Sequence, residues 1–322
     1  MSTNPNRIDV HHHILPPAYL ADLKRRNIDW TGTGKPVPEW GVPIALEMME
    51  RNGIAAAITS VCAELFWKGE VEPAIKWARH CNEFMARVVQ VDRTHFGGFA
   101  NLPLPDTEAA CREAEHALDV LKLDGVILFS STGGQYPGDP AFDELFQVLN
   151  QRSAVVFIHP NTEVPGSNIP KLKFPHGLIE FVFDTTRCIT SLLYSGTFER
   201  YPNIRYIVSH AGGTVPYIAW RIANGPLVLG EEMNQAVPKG PLYYLQRLFY
   251  DTALSPSEYV LAALQQFVPT SQVLFGSDFP MVPEKAVQLE TMGLESSKVL
   301  NDDTRKAIYR DNALKIFPRF TK

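Results

Sequence analysis

Short apolar segments of strand length alternate with amphipathic segments along nearly the whole chain. Stretches with helical periodicity lie between the apolar segments, for example residues 45–53, 106–123 and 141–153. Continuous apolar strands that are separated by helices are typical of a parallel sheet buried on both faces. The eight apolar segments are residues 7–13, 55–62, 95–102, 124–130, 154–160, 204–210, 247–253 and 272–278.

Eight such repeats favour a closed (β/α)₈ barrel, the TIM-barrel class of α/β fold. An open doubly wound sheet is the alternative, but the chain has no Gly-rich phosphate loop of the kind that fold carries. A length of 322 residues is within the range that a barrel reaches as one domain. We therefore predict a single domain over residues 1–322.

Two connections between the predicted strands are unusually long. Residues 14–43 are rich in Pro, Gly and Trp, and residues 161–183 contain three prolines. Long loops inside a compact domain are usually functional, and the loops that follow the strands line the active face of a barrel. We expect both long loops to border the active site.

Composition excludes several classes of function. The chain has 20% charged residues, a net charge of −5 and no basic run, so nucleic acid is not expected as a partner. Its apolar stretches are shorter than the roughly 20 residues that span a bilayer, so no membrane segment is expected. The polar N-terminal sequence MSTNPNRIDV predicts a cytoplasmic protein without a signal peptide. The scattered cysteines, which predict free thiols, are Cys62, Cys81, Cys111 and Cys188.

Residues of the kind that bind metals stand on or at the ends of four predicted strands. His11 and His13 are two apart on the first strand, so their side chains point to one face. His159, His210 and Asp278 end the fifth, sixth and eighth strands. Because strand ends meet at the catalytic mouth of a barrel, these side chains can converge there. Imidazole and carboxylate ligands suit Zn²⁺ best, with Mn²⁺, Fe²⁺ or Co²⁺ as alternatives.

Each of these residues taken singly is a weak signal. A lone histidine at a strand end is more often a hydrogen-bonded polar residue than a ligand, and His12 should face the helices in a structural role. The combination of five such residues is what favours a metal site. The fourth predicted strand ends in Phe129-Ser130-Ser131, without the lysine that commonly bridges a second metal. We therefore predict one divalent metal.

Four motifs occur in an order and spacing that resemble the amidohydrolase superfamily. They are IDVHHH (8–13), FIHP (157–160), SHAGG (209–213) and LFGSDFP (274–280). More narrowly, the chain resembles the branch that contains 2-amino-3-carboxymuconate-6-semialdehyde decarboxylase and the γ-resorcylate and 6-methylsalicylate decarboxylases. FDTTR (183–187) and FYDTALS (249–255) are most similar to the 6-methylsalicylate decarboxylases.

The resemblance implies roles for individual residues. The residues that match metal ligands of the family are His11, His13, His159 and Asp278. His210 matches a histidine that either binds the metal or acts on the substrate beside it. Arg221 matches an arginine that reaches into the neighbouring subunit, which implies a homodimer. The arginine that holds a substrate carboxylate in the semialdehyde decarboxylase has no clear counterpart near TGKPVPEWGVP (33–43), which favours a substrate with one acid group.

The first hypothesis is non-oxidative decarboxylation of a small 2-hydroxybenzoate-type acid, similar to 6-methylsalicylate. The metal would chelate the carboxylate and the ortho hydroxyl. Asp278 in its protonated form would give a proton to the carbon that bears the carboxylate. Arg187 or Arg221 is a candidate to hold a substrate oxygen, although Arg187 fits a surface ion pair equally well.

Aromatic residues near the strand ends are candidates for a flat substrate pocket. Phe183 and Phe279 are the predicted substrate contacts, together with Phe129 and Trp67, although core packing is the simpler interpretation of each. Two polar residues of the FDTTR motif, Asp184 and Thr185, are expected to cap the helix after the fifth strand.

Two further hypotheses stay open at this point. The same metal would lower the pKa of a bound water in a hydrolase of lactones, amides or esters, with Asp278 as the general base. The third hypothesis is a non-catalytic metal-binding protein, which nothing in the sequence favours. The apolar residues near the strand ends and the FDTTR motif favour decarboxylation.

Overall fold

Each apolar segment forms a parallel β-strand, and the eight strands are hydrogen-bonded to one another in sequence order. The computed structural model describes residues 6–27, 37–61, 71–161 and 173–321. The strands are β1 (Arg7–His13), β2 (Ile54–Ser60), β3 (Phe96–Ala100), β4 (Gly125–Phe129), β5 (Val155–His159), β6 (Arg205–Val208), β7 (Phe249–Asp251) and β8 (Val273–Leu274).

Hydrogen bonds between β1 and the segment after β8 close the sheet. The backbone N–H of Val10 donates to the carbonyl of Phe275 at 3.0 Å, and the N–H of His13 donates to the carbonyl of Phe279 at 2.7 Å. A (β/α)₈ barrel results, as the sequence pattern predicted.

Helices follow the strands and cover the outside of the barrel. In the described residues they are α1 (Pro17–Arg25), α2 (Val42–Arg51), α3 (Val71–Val91), α4 (Thr107–Glu115), α5 (Asp143–Gln151), α6 (Glu180–Tyr194), α7 (Thr197–Arg200), α8 (Val215–Ala223), α9 (Gly225–Leu229), α10 (Glu232–Ala236), α11 (Pro241–Leu245), α12 (Glu258–Phe267), α13 (Glu284–Ser296), α14 (Asp302–Lys306) and α15 (Asn312–Ile316). Local chemistry sets several of their ends. The side chain of Asp106 accepts a hydrogen bond from the N–H of Ala109 and so begins α4, whereas Gly53, at φ 62°, follows the end of α2.

Period-two alternation gives the barrel two apolar layers. Along β5, Val156 and Ile158 pack among the helices, whereas Val155 and Phe157 face the barrel interior. The C-terminal segment closes one end of that interior layer, because Phe317 and Phe320 pack among the inward-facing strand residues. The opposite end, where the strands finish, is left for polar side chains.

Several boundaries differ from the sequence prediction. The strands end earlier than expected, so His210 lies two residues beyond β6 and Asp278 lies four residues beyond β8. The predicted long loop 14–43 contains α1 and the start of α2, and the predicted loop 161–183 contains the first turn of α6. Its proline-rich part and most of the loop that holds Trp67 and Cys62 lie outside the described residues.

Cysteine burial and helix length are two further features of the fold. The cysteines within the described residues, Cys81, Cys111 and Cys188, are buried free thiols, as expected. In the same parts of the chain, no helix combines the length and the apolar character that a bilayer crossing requires.

Candidate metal centre

An irregularity in β1 aims two histidines into the barrel. The pairing of β1 with β2 changes register between Asp9 and His12, which shifts the phase of the side chains at that point. Val10 belongs to the interior apolar layer, and the ring of His11 also faces inward, 4.9 Å from the ring of Phe157. His13 faces the same way, with its ring 5.0 Å from that of His11.

Four buried side chains converge at the carboxyl ends of the strands. Ligand atoms of His11, His13, His159 and Asp278 all lie within 4.8 Å of one another. Asp278 Oδ1 is 3.0 Å from His13 Nε2 and 3.3 Å from His11 Nε2. The imidazoles of β1 and of the end of β5 therefore meet the carboxylate of the segment after β8 at one point. The residue pattern predicted that five side chains, with His210 as the fifth, converge here, and the family resemblance implied these four as the ligands.

The Nδ1 atoms of the three histidines are each held by another group. His11 Nδ1 lies 2.8 Å from a carboxylate oxygen of Asp251, and His13 Nδ1 lies 3.1 Å from the hydroxyl of Ser60. His159 Nδ1 donates to the carbonyl of Pro160 at 2.9 Å. Such partners fix the tautomer and the ring orientation of metal-binding histidines. The Nε2 atoms are left to face the centre of the cluster.

The cluster passes a test of fit for a divalent metal. Nε2 of His11 is buried and makes no hydrogen bond within the described residues, although a carboxylate oxygen of Asp278 is close by. An unsatisfied buried nitrogen is costly, and a metal would satisfy it. Three imidazoles and one carboxylate form a donor set that divalent transition metals accept. The cluster can therefore hold such an ion.

The protonation state also suits metal binding. Burial lowers the pKa of His13, and burial with the neighbouring histidines lowers the pKa of His159 well below its ordinary value. Burial acts to raise the pKa of Asp278, but the charge of His11 and a hydrogen bond with His13 hold it well below its ordinary range. Neutral imidazoles and an ionised carboxylate are the forms that bind metals.

His11 is the exception among these residues. Burial acts to lower its pKa, but the nearby carboxylates of Asp251 and Asp278 raise it to about 10. Without a metal, His11 therefore holds a proton between two carboxylates at neutral pH. A metal ion would have to displace this proton in order to bind His11.

His210 borders the cluster without joining the group of four. Its ring lies 4.9 Å from the ring of His11 and 6.0 Å from that of His159. The backbone of His210 has φ 52°, and its backbone N–H donates to Asp251 Oδ1 at 2.9 Å. Burial lowers the pKa of His210, so the imidazole is neutral. This position suits contact with a substrate beside the metal.

Two buried carboxylates beside the cluster were not among the predicted site residues. Asp251 ends β7 and contacts both His11 and His210. Asp9 accepts hydrogen bonds from the backbone N–H groups of His11 and Ser277 at 3.0 Å each. The placement rule that found the other strand-end residues applies to Asp251, whereas nothing in the pattern of β1 predicted the role of Asp9.

His12 turns away from the cluster, as expected. Its Nδ1 lies 3.2 Å from Asp9 Oδ2, and its ring packs 5.4 Å from the ring of Phe279. Phe279, a predicted substrate contact, is thus buried next to Asp278 and packs against a structural histidine. The ring of Phe129 lies 6.3 Å from that of His159, at the inner wall of the site.

The other predicted substrate contacts are solvent-exposed. Phe183 is 45% exposed on α6, and Arg187 is exposed one turn later on the same helix. Arg221 is exposed in the last turn of α8. None of these three has a contact with the four-residue cluster among the described residues, so their predicted roles depend on a bound substrate or a second subunit.

The capping role predicted for Asp184 and Thr185 is wrong. Helix α6 begins at Glu180, so both residues lie inside it, where they are buried. Asp184 accepts hydrogen bonds from the hydroxyl groups of Ser130 and, at 2.8 Å, Tyr136. It therefore ties α6 to the chain that follows β4, at the same end of the barrel as the cluster.

Comparison with known proteins identifies the family. The amidohydrolase family model matches residues 8–319, and the chain belongs to that family. It is 35% identical over 321 residues to 6-methylsalicylic acid decarboxylase of Penicillium expansum, an alignment that covers 97% of this chain and 96% of the relative. The predicted family and its decarboxylase branch are thereby confirmed.

Solved structures share the fold. A crystal structure of an amidohydrolase II matches with a TM-score of 0.89 and 27% identity, over 97% of this chain and 99% of the other. The 5-carboxyvanillate decarboxylase of Novosphingobium aromaticivorans, solved with manganese and 4-hydroxy-3-methoxy-5-nitrobenzoic acid, matches with a TM-score of 0.84 and 21% identity, over 97% and 96% of the two chains.

Proposed function

We propose that this protein is a metal-dependent decarboxylase of small 2-hydroxyaromatic acids, of which 6-methylsalicylic acid is the first candidate. The observation that carries the proposal is the buried cluster of three histidines and Asp278. It lies at the carboxyl end of the barrel in a chain that is 35% identical to a 6-methylsalicylic acid decarboxylase. Active sites of TIM-barrel enzymes lie at this end of the fold.

The residues that would hold the metal are His11, His13, His159 and Asp278. We propose Zn²⁺ as the ion, because imidazole and carboxylate ligands suit it. Mn²⁺ is the alternative, since the related 5-carboxyvanillate decarboxylase was solved with manganese. When bound, the ion supplies positive charge that holds the carboxylate and the ortho oxygen of an acid.

Asp278 is the proposed proton carrier of the reaction. Its low pKa means that the resting group is a carboxylate, so it must first take a proton before it can act as an acid. We propose the ortho hydroxyl of the substrate as the source, so that its proton passes to Asp278 and leaves a phenolate. Asp278 then gives this proton to the ring carbon that bears the carboxylate.

Loss of CO₂ completes the proposed reaction. The bond between the ring and the carboxylate breaks, its electron pair returns to the ring, and aromaticity is restored. The product leaves as a phenolate that takes a proton from water. His210 offers a neutral imidazole beside the cluster, where it would accept a hydrogen bond from the ortho hydroxyl of the acid before that proton moves.

Turnover of 6-methylsalicylic acid by protein loaded with Zn²⁺ or Mn²⁺ tests the proposal. We expect release of CO₂ and 3-methylphenol, detected by mass spectrometry, and loss of both after treatment with a chelator. The matched control substrate is 2-methylbenzoic acid, which lacks the ortho hydroxyl and should be inert. Hydrolysis of lactones or amides, with no CO₂ from any 2-hydroxybenzoic acid, would contradict the proposal and favour a hydrolase.

A homodimer and a cytoplasmic location stay predictions. Arg221 shares α8 with Tyr217 and Trp220, which are 89% and 77% exposed, and exposed aromatic groups of this kind are typical of contact surfaces. This supports a homodimer in which α8 meets the second subunit. A molar mass of one chain by light scattering would contradict it.

A further inference from the structure

Helix α13 buries a glutamate that has no part in the cluster of four. Glu290 is 2% exposed, and its Oε1 accepts a hydrogen bond from the N–H of Leu254 at 2.8 Å. Oε2 is buried and has no hydrogen-bond partner among the described residues. Charged residues are rarely buried without a partner, so this position requires an explanation.

The hydrogen bond of Glu290 reaches a strained peptide. Leu254 has φ 53°, a left-handed conformation that costs a residue other than glycine about 1 kcal/mol or more. Its side chain is 52% exposed, so side-chain packing does little to hold this conformation. The hydrogen bonds on both sides of the peptide are therefore important for its position.

The same peptide group contacts His210. The carbonyl of Ala253, which belongs to the peptide bond between Ala253 and Leu254, lies 3.3 Å from His210 Nδ1. A carbonyl oxygen only accepts hydrogen bonds, so His210 must carry its proton on Nδ1 to make this contact. One peptide group thus connects Glu290 on one side with His210 on the other.

We propose that Glu290 is a positioning residue that acts through this peptide to hold His210 in its Nδ1–H tautomer. The bond at 3.3 Å is long, and hydrogen bonds in a chain strengthen one another. When the N–H of Leu254 is bonded to Glu290, the carbonyl of Ala253 becomes a better acceptor. His210 Nε2 is then left unprotonated toward the cluster and the substrate.

The state of Glu290 fits this role. Burial raises its pKa to about 9, so the group is a neutral acid at physiological pH and accepts through its carbonyl oxygen. The charged groups around it have opposite effects, because Asp278 and Asp9 raise its pKa and His11 lowers it. Glutamine has the shape of a neutral glutamic acid and carries the same carbonyl acceptor. It should therefore replace Glu290 without loss of the contact.

Nuclear magnetic resonance of the histidine rings tests the inference. The ¹⁵N spectrum of the Zn²⁺-loaded protein is recorded for the wild type, Glu290→Gln and Glu290→Met, with the His210 signals assigned by their absence in His210→Gln. We expect Glu290→Gln to keep the wild-type His210 tautomer and Glu290→Met to shift it. Glu290→Asp, which withdraws the carboxyl group by one methylene, should shift the signals in the same direction if the methionine variant does not fold.

A neighbouring substitution serves as the matched control. Thr291 is the next residue on α13 and is also buried, and its hydroxyl bonds within the helix to Gln288. Thr291→Val should leave the His210 signals in place. Unchanged His210 signals in Glu290→Met, or equal shifts in Glu290→Gln or Thr291→Val, would overturn the positioning role.

Turnover gives the second measurement, and this part rests on the proposed decarboxylase function. We expect kcat of Glu290→Met to fall about tenfold at unchanged KM, the lower end of the effects seen when partners of site histidines are removed. Glu290→Gln should retain the wild-type kcat. A wild-type protein without decarboxylase activity would refute the proposed function, while the ring spectra would still decide the role of Glu290.

Discussion

The two ends of the barrel differ in what their side chains do. At the end where the strands begin, Phe317 packs into the apolar interior. There, Arg319 binds both carboxylate oxygens of Asp124, at 2.7 and 2.9 Å. At the end where the strands finish, imidazoles and carboxylates replace apolar side chains. At that end His11 Nε2 and Glu290 Oε2 are buried without a hydrogen bond among the described residues, although Arg7 Nε is in the same state where β1 begins.

Strained backbone occurs at both ends, but only at the finishing end does it include residues of the site. Asn6, Lys122 and Ser153 have positive φ just before β1, β4 and β5, whereas the residues with positive φ after the strands are His210, Ala211, Leu254 and Asp278. Each costs about 1 kcal/mol or more relative to an ordinary conformation. Strain of this kind persists only where surrounding contacts hold it in place, and it concentrates at functional sites. The comparison indicates that one end of the barrel supplies stability and the other end places reactive groups.

Matched substitutions of one aspartate at each end should separate these roles. Asp278→Asn removes the proton carrier, and we expect decarboxylation to fall by about 10³-fold or more. Asp124→Asn weakens the pair with Arg319 and should lower the melting temperature while kcat stays near the wild-type value. Initial rates on 6-methylsalicylic acid and thermal unfolding, followed by circular dichroism, measure both effects.

The opposite pattern would contradict the division. Full activity in Asp278→Asn would remove this residue from the proposed chemistry. A large loss of kcat in folded Asp124→Asn would show that the far end also shapes the active site.

Asp251 allows a sharper test at the end of the barrel where the strands finish. It contacts His11 Nδ1 at 2.8 Å, and loss of such a partner typically weakens metal binding by about 10- to 100-fold. We expect this loss in Asp251→Asn, measured by competition with a zinc chelator. Asp124→Asn is again the control and should bind zinc as the wild type does. Equal zinc affinity in Asp251→Asn would mean that His11 is oriented by other contacts.

The barrel and the convergence of strand-end side chains were predictable from the sequence because they depend on local pattern, whereas the choice of four candidate ligands among five such residues came from the family resemblance. Eight apolar strands between helices allow few topologies, and residues at strand ends meet at one mouth. His159 shows the rule at its simplest, as the last residue of β5. The prediction for Asp184 failed because α6 begins at Glu180, four residues earlier, after Ile179, which makes no side-chain capping hydrogen bond, so no cap residue marks the start of the helix in the sequence.

Tertiary contacts between distant parts of the chain could not be predicted from the sequence. The register change in β1 comes from its pairing with β2, so simple alternation could not reveal that Val10 and His11 both face inward. Glu290 is one of several acidic residues on an amphipathic helix, and only tertiary packing brings it to Leu254. The exposed positions of Arg187 and Arg221 also follow from tertiary packing, and their roles toward a substrate stay predictions.

The pH dependence of zinc binding is a direct test of how the finishing end is charged. His11 has a pKa of about 10 in the metal-free protein, so at lower pH a bound metal must displace its proton. Burial lowers the pKa values of His13, His159 and His210, so these groups release no proton near neutral pH. Zinc affinity should therefore rise about tenfold per pH unit between about pH 6.5 and 8.5, with one proton released per metal.

Substitution at each end shows whether this proton belongs to His11. In Asp251→Asn one of the two carboxylates that raise the pKa of His11 is lost, so the rise of zinc affinity with pH should become shallower near the upper end of the range. Asp124→Asn should keep the wild-type slope. A flat profile in the wild type would mean that His11 is neutral before zinc arrives, whereas a slope near three protons would mean that the other imidazoles are charged as well. Either result would mean that the metal-free cluster does not hold a single proton on His11. It would also contradict the ionised resting state proposed for Asp278.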